Sequence, residues 1–89
     1  MNLEGNIIAG EYDEGLKEFS LHRVKHLTLE STIKENQLQL LYEYLKKHQD
    51  EEDGQILTLY DQILVRLTQE EINQFIQDLE QVQALYKSK

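Results

Sequence analysis

Cysteine and proline are both absent from the sequence. Without cysteine, the chain can form neither a disulfide nor a thiolate metal site, which excludes the disulfide-rich class of small secreted proteins. Without proline, no residue forces a helix or strand to break, so the four glycines have to mark most of the turns. Three of them, Gly5, Gly10 and Gly15, lie in the first 15 residues. The N-terminal part is therefore predicted to be rich in turns and β-structure.

Long apolar runs are absent too. No segment approaches the roughly 20 consecutive apolar residues that a membrane span needs. Residues 1–5 also lack the basic start and the apolar core of a signal peptide. These absences predict a cytoplasmic protein that does not contact a membrane.

The length of 89 residues predicts a single domain over residues 1–89. A chain of this size buries only about 60–65% of the surface that it exposes when unfolded, and its core rarely supplies more than a few kcal/mol of net stability. Self-association is a common way for a small chain to enlarge its core, so we expect a homodimer.

Positive charge is scarce, and the net charge is −8. Residues 50–81 hold nine carboxylates against one cation, Arg66. Such a surface repels phosphate backbones, so we expect no direct nucleic-acid binding. The candidate acidic face, which either keeps the chain soluble or docks a basic protein, consists of Asp50, Glu51, Glu52, Asp53 and Asp78.

The C-terminal segment carries the clearest helical pattern. Thr68 and Glu71 have the spacing of a capping box, which predicts a helix over residues 69–86. Its apolar residues recur at spacings of 3, 4, 3 and 4, so they form one stripe on the helix. The stripe, which we predict to be an interface with a partner or a second copy, consists of Ile72, Phe75, Leu79, Val82 and Tyr86.

A second helix is predicted over residues 33–48. Thr32 and Glu35 have the capping-box spacing, and Lys46, Lys47 and His48 place cations in the last turn, where they suit the helix dipole. The stripe of this helix consists of Ile33, Leu38, Leu41, Tyr42 and Leu45, extended sideways by Leu40 and Tyr44.

The remaining segments favour strands. Residues 5–29 are predicted to be β-rich, with strands at 6–12, 16–21 and 27–29 and a tight turn in which Gly15 takes a positive φ. Residues 55–67 fit a strand, a hairpin turning at Asp61 and Gln62, or a helix. We favour the strand, because Thr68 begins the next helix without a linker. The prediction is an α+β fold of order β-β-(β)-α-β-α, with a small N-terminal antiparallel sheet and two amphipathic helices.

One resemblance supports the β-structure. NIIAGEY at residues 6–12 leads through a turn to FSLHRVKHLTL at residues 19–29. This arrangement resembles the closing strands of bacterial WYL-type ligand-sensing domains, although it covers under a third of the chain and the Trp-Tyr-Leu signature of that family is absent. The resemblance implies N-terminal β-structure and carries over no functional residue.

Residues that could carry chemistry are few. His22 and His26 have the spacing of a helical zinc pair, but Arg23 stands where the general base of that motif would be. They are weak metal candidates, and we expect surface or half-buried histidines and no metal or other cofactor. Ser20 lies near His22 without an acid to complete a catalytic group, so no catalytic residue is predicted.

Two functions remain open. The first is a small acidic, non-enzymatic interaction or regulatory module that binds a protein partner or itself through the C-terminal stripe and the acidic face. The alternative is a small ligand- or metal-binding protein that uses the locally basic segment of residues 17–34. If the stripe packs inside the chain, the acidic face becomes the better candidate for a partner site.

Overall fold

The described residues form six strands and two helices in the order β-β-β-β-α-β-β-α. The computed structural model describes residues 1–59 and 63–87. The elements are β1 (Asn2–Glu4), β2 (Ile8–Asp13), β3 (Glu18–Val24), β4 (Leu27–Ile33), α1 (Glu35–Lys47), β5 (Gln55–Leu59), β6 (Ile63–Leu67) and α2 (Gln69–Lys87). The predicted α+β fold is confirmed. Neither helix combines the length and apolar character that a membrane span requires.

The first four strands form an antiparallel meander in the order β1-β2-β3-β4. Side chains alternate between its two faces, because successive residues of a strand point in opposite directions. The inner face is apolar and carries Ile8, Tyr12, Phe19, Leu21, Val24, Leu29 and Ile33, all buried. Most outer-face residues are polar and exposed. The sheet is therefore built to be covered on one side only.

In two connections between strands of this sheet, the residue with a positive φ is a lysine. Lys17 has a φ of 53° and Lys25 a φ of 56°, whereas Gly15 does not have a positive φ. The prediction that Gly15 provides the left-handed residue is therefore wrong. Asp13 accepts a hydrogen bond from the Leu16 N–H at 3.1 Å, which organises a longer loop and moves the left-handed position to Lys17.

Helix α1 begins later than its sequence suggests. Thr32 still belongs to β4, where it pairs with Ser20, so the predicted capping box of Thr32 and Glu35 is wrong. Lys34 is the N-cap residue instead, and its backbone N–H donates to the Gln37 side chain at 3.0 Å. Strand β4 continues to Ile33 and α1 begins at Glu35, so Thr32 lies two residues too early to cap the helix.

Strands β5 and β6 pair with each other as an antiparallel hairpin. The hairpin alternative is thus confirmed over the single strand that we favoured, while its suggested turn residues, Asp61 and Gln62, lie outside the described residues. Leu57 and Val65 face each other across the hairpin and are both buried. The hairpin contributes this inner face to the same core as the sheet.

Helix α2 closes the core. The Thr68 side chain accepts from the Glu71 N–H at 3.1 Å, and the Glu71 carboxylate accepts from the Thr68 N–H at 2.9 Å. The predicted capping box is confirmed. Tyr42 of α1 donates its hydroxyl proton to Glu80 at 2.8 Å, so the two helices also contact each other along a polar edge.

Gly54 lies between the loop after α1 and strand β5. Its backbone is in the left-handed region, which favours glycine. Its φ is +74°, and an added Cβ would lie 2.1 Å from the Leu67 carbonyl oxygen. We expect Gly54→Ala to lower the free energy of unfolding by about 2 kcal/mol or more, because it adds backbone strain to a steric clash. Chemical denaturation measures this change.

Gly15→Ala is the matched control. Its added Cβ would meet only the Asp13 side chain, at 3.3 Å, so we expect a change within about 0.5 kcal/mol. Equal effects of the two substitutions would contradict the role given to Gly54.

Candidate functional site

Exposed apolar side chains of α1 and of the β5–β6 hairpin meet at one groove. Leu40 and Tyr44 are exposed on α1, and Ile56 and Leu64 are exposed on β5 and β6. We call these four residues the apolar face. The other exposed large apolar residues among those described, Met1, Leu16 and Leu27, lie elsewhere in the chain, in or next to the four-stranded sheet.

Helix period and strand register produce this face. Leu40 and Tyr44 are one turn apart on α1 and share a side of the helix. Ile56 pairs with Arg66, two residues from Leu64, so Ile56 and Leu64 are diagonal neighbours on the outer face of the hairpin. An open groove of about 400 Å³ runs between the two elements and is lined by Leu40, Leu41, Tyr44, Ile56 and Leu57.

The acidic loop lies at one end of the apolar face. Asp50, Glu51, Glu52 and Asp53 are all exposed between α1 and β5. The ring of Tyr44 contacts the ring of His48 at a centroid distance of 4.6 Å, and His48 Nδ1 lies 2.6 Å from a Glu51 carboxylate oxygen. These contacts connect the apolar face directly to the carboxylates of the loop.

Asp78 is not part of that acidic surface. It is 0% exposed, and its carboxyl oxygens accept from the backbone N–H groups of Asn6 at 2.7 Å, Ile7 at 2.8 Å and Ile8 at 3.2 Å. The assignment of Asp78 to the acidic face is therefore wrong. Burial of a carboxyl group is tolerated here because backbone donors replace the lost water.

The predicted C-terminal interface lies inside the chain. Ile72, Phe75, Leu79 and Val82 are each at most 1% exposed and belong to the common core. The stripe is thus used for intramolecular packing, so it presents no surface to a second molecule.

Tyr86, the last residue of the stripe, is half-buried. Its hydroxyl donates to the Ile33 carbonyl and accepts from the Phe19 N–H at 2.9 Å. Burial raises the pKa of this phenol. Tyr86 therefore binds the end of α2 to the sheet.

The two histidines do not form a helical pair. His22 lies on β3, half-buried, and His26 is exposed in the turn that follows. The chain turns between them at Lys25, whose φ is 56°, so the two imidazoles do not share one side of a regular element. Within residues 1–59 and 63–87, no group of three or more histidines or carboxylates could hold a metal ion.

The basic segment of residues 17–34 is spread over both ends of the sheet. Lys17 precedes β3 and Lys25 follows it, so a seven-residue strand of about 20 Å separates them. Lys25 is also engaged, because its ammonium group donates to Glu71 at 3.0 Å and to the Arg66 carbonyl at 2.8 Å. These cations therefore do not converge on one ligand.

A second, polar cleft lies on the outer face of the sheet. It has a volume of about 700 Å³, and its lining includes Glu11, Asp13, Ser20 and His22. Every buried polar side-chain atom of the described residues has a hydrogen-bond partner. The described residues that line this cleft therefore include no buried polar side-chain atom without a hydrogen-bond partner.

Comparison of the chain with known proteins gave no match. No family model matches it, and no curated protein or solved structure matches it significantly. The resemblance of residues 6–29 to WYL-type domains thus has no matching family model behind it. A function has to be argued from the surfaces of this chain.

Sequence reasoning missed the apolar face, although a signal for it exists. Ile56 and Leu57 are adjacent, and Leu64 and Val65 are adjacent, so each strand is apolar on both of its faces. Strands with this pattern are typical of sheets that are covered on both sides. The register of the hairpin decides which residue of each pair points outward, and that register could not be read from the sequence.

Removal of the Asp78 carboxyl group provides a test of its contacts with the backbone. We expect Asp78→Ala to lower the free energy of unfolding by about 3 kcal/mol or more, because three backbone donors lose their acceptor and at least two of them are buried. Asp53→Ala, in the exposed loop, should change it by less than about 0.5 kcal/mol. Urea denaturation of both variants makes the comparison.

A substitution at Gly5 tests the same contact from the other side. An added Cβ at Gly5 would lie 2.3 Å from Asp78 Cγ, so Gly5→Ala should destabilise the native chain but cost much less in the Asp78→Ala background. Additive effects of the two substitutions would contradict a direct contact between these residues.

Glu71 gives a pH-dependent contribution to stability. The Thr68 N–H, and then the Lys25 ammonium group, hold the pKa of Glu71 below its ordinary value. A lowered folded-state pKa stabilises the fold above the ordinary pKa, and this stabilisation is lost as the pH falls through the folded value. Glu71→Gln should therefore cost about 0.5–1 kcal/mol at neutral pH, and the difference from wild type should shrink in acid.

Glu70→Gln is the control for helix-dipole effects, since Glu70 is exposed in the same first turn. It should have the smaller effect at neutral pH. A cost of Glu71→Gln that persists unchanged to pH values well below the glutamate range would show that its charge is not responsible.

Proposed function

We propose that this chain is a non-enzymatic protein-interaction module, with a regulatory or scaffolding role, that binds through the apolar face. The observation that supports this best is that Leu40, Tyr44 and Ile56 are exposed and line one open groove, with Leu64 exposed diagonally across the hairpin from Ile56. Clustered exposed apolar side chains mark interaction sites far more often than isolated ones do.

The acidic loop supports the same proposal. Asp50, Glu51, Glu52 and Asp53 border the apolar face without covering it. An apolar centre with a charged, solvated rim is the usual anatomy of a protein interface. The rim would steer the approach of a partner, while the apolar centre would supply most of the affinity.

The alternative function, ligand or metal binding by residues 17–34, has weaker support. Lys25 is engaged by Glu71 and Arg66, and the length of β3 separates Lys17 and Lys34, at one end of the sheet, from Arg23 toward the other. No specific geometry of the described residues favours it.

Leu64→Lys tests the proposal. Leu64 is 67% exposed, so the substitution should leave folding intact and remove binding by placing a charge in the apolar centre. Leu16→Lys is the matched control, because Leu16 is 69% exposed but lies in the β2–β3 loop. The measurement is capture of binding partners, the chain itself included, on immobilised wild type and on each variant.

We expect wild type and Leu16→Lys to retain the same partner, with Leu64→Lys losing it about tenfold or more. Far-ultraviolet circular dichroism and thermal unfolding should show that all three chains are folded. Identical binding by all three would overturn the assignment of function to the apolar face.

A further inference from the structure

We propose that the apolar face binds the same face of a second copy of this chain, which forms a two-fold symmetric dimer. This inference rests on the proposed function, since it names the partner of the same surface. It also places the dimer interface on α1 and the β5–β6 hairpin, away from the C-terminal stripe.

The hairpin supplies the first argument. Leu57, Val65 and Leu67 are buried on its inner face, whereas Ile56 and Leu64 expose apolar side chains on its outer face. A two-stranded sheet has little stability by itself and depends on what packs against it. The chain covers one side of this sheet, and a second copy would cover the other.

The area of the face fits a dimer. With exposed fractions of 67% for Leu40 and Leu64, 52% for Ile56 and 37% for Tyr44, it presents roughly 400–500 Å² of apolar surface. A protein interface of standard size buries about 800 Å² per subunit, of which somewhat more than half is apolar. The apolar face therefore supplies the apolar half-interface that one subunit needs.

The charges on the elements that carry the apolar face are of both signs, so they allow a copy of the chain to bind in spite of its net charge. Arg66 pairs with Ile56 across the hairpin and is exposed. On α1, Glu43 and Lys47 lie one turn from Leu40 and Tyr44, respectively, and are also exposed. Because the rim contains both signs, a two-fold arrangement can place the cations of each subunit opposite carboxylates of the other.

Net charge gives the dimer a distinctive salt dependence. Each chain carries a charge of −8, so two copies repel each other at long range, and added salt screens this repulsion. Association of two copies should therefore strengthen as the salt concentration rises. Association with a basic partner would weaken instead, because salt would screen an attraction.

The test is the solution mass from size-exclusion chromatography with light scattering, over a range of micromolar concentrations. It is repeated at low and high salt, about 20 and 300 mM NaCl, which bracket the range over which screening changes most. Wild type should pass from monomer to dimer with concentration, and more readily at high salt. Leu64→Lys and Leu40→Lys should weaken the dimer about tenfold or more, while Leu16→Lys should not.

Three outcomes would overturn the dimer. These are a monomer at every concentration, a dimer that Leu64→Lys and Leu40→Lys leave unchanged, or association that weakens with salt. The proposed function would survive the first outcome if immobilised wild type still captured a different protein that Leu64→Lys lost. It would fail with the dimer if Leu64→Lys changed no binding of any kind.

Discussion

The fold depends on one polar contact, the carboxyl group of Asp78 within the backbone of residues 5–8. Three backbone N–H groups of that segment donate to it, and Gly5 makes room because any larger residue would overlap the carboxyl group. The contact fixes the middle of α2 against the N-terminal sheet. Lys25 and Glu71 fix one end of the helix, and Tyr86 fixes the other. These three contacts fix the position of α2 and direct its apolar stripe into the core.

The packing of α2 against the sheet determines which apolar surfaces remain exposed for binding. The helix covers the inner face of the sheet, so the strongest apolar stripe in the sequence is unavailable for binding. What stays exposed is the side of α1 and the hairpin that no element of the described chain covers. The acidic loop between them then borders an apolar surface, and the two together have the composition of an interface. This remaining surface is the one through which we propose that the chain binds.

Local patterns in the sequence predicted some of this and could not predict the rest. Thr68 directly precedes α2 and forms the capping box with Glu71, which also pairs with Lys25. Thr32 has the same spacing from Glu35 but is held in β4 by its pairing with Ser20. Asp78 lies three residues after Phe75 and four before Val82, which puts a carboxyl group on the apolar stripe. That position was a sign of burial, but its backbone donors come from residues about 70 positions away. The hairpin register likewise depends on packing and not on local composition.

The separation along the chain between Asp78 and its donors also determines the order in which contacts form during synthesis. The strands of the meander are neighbours in sequence, so they can pair as soon as they are made, while the partner of residues 6–8 is 70 to 72 residues further on. Contacts of such long range form late, because a large loop must close first. Until α2 has emerged, the nascent sheet carries a bare apolar surface that is open to chaperones and to misassociation with other unfinished chains.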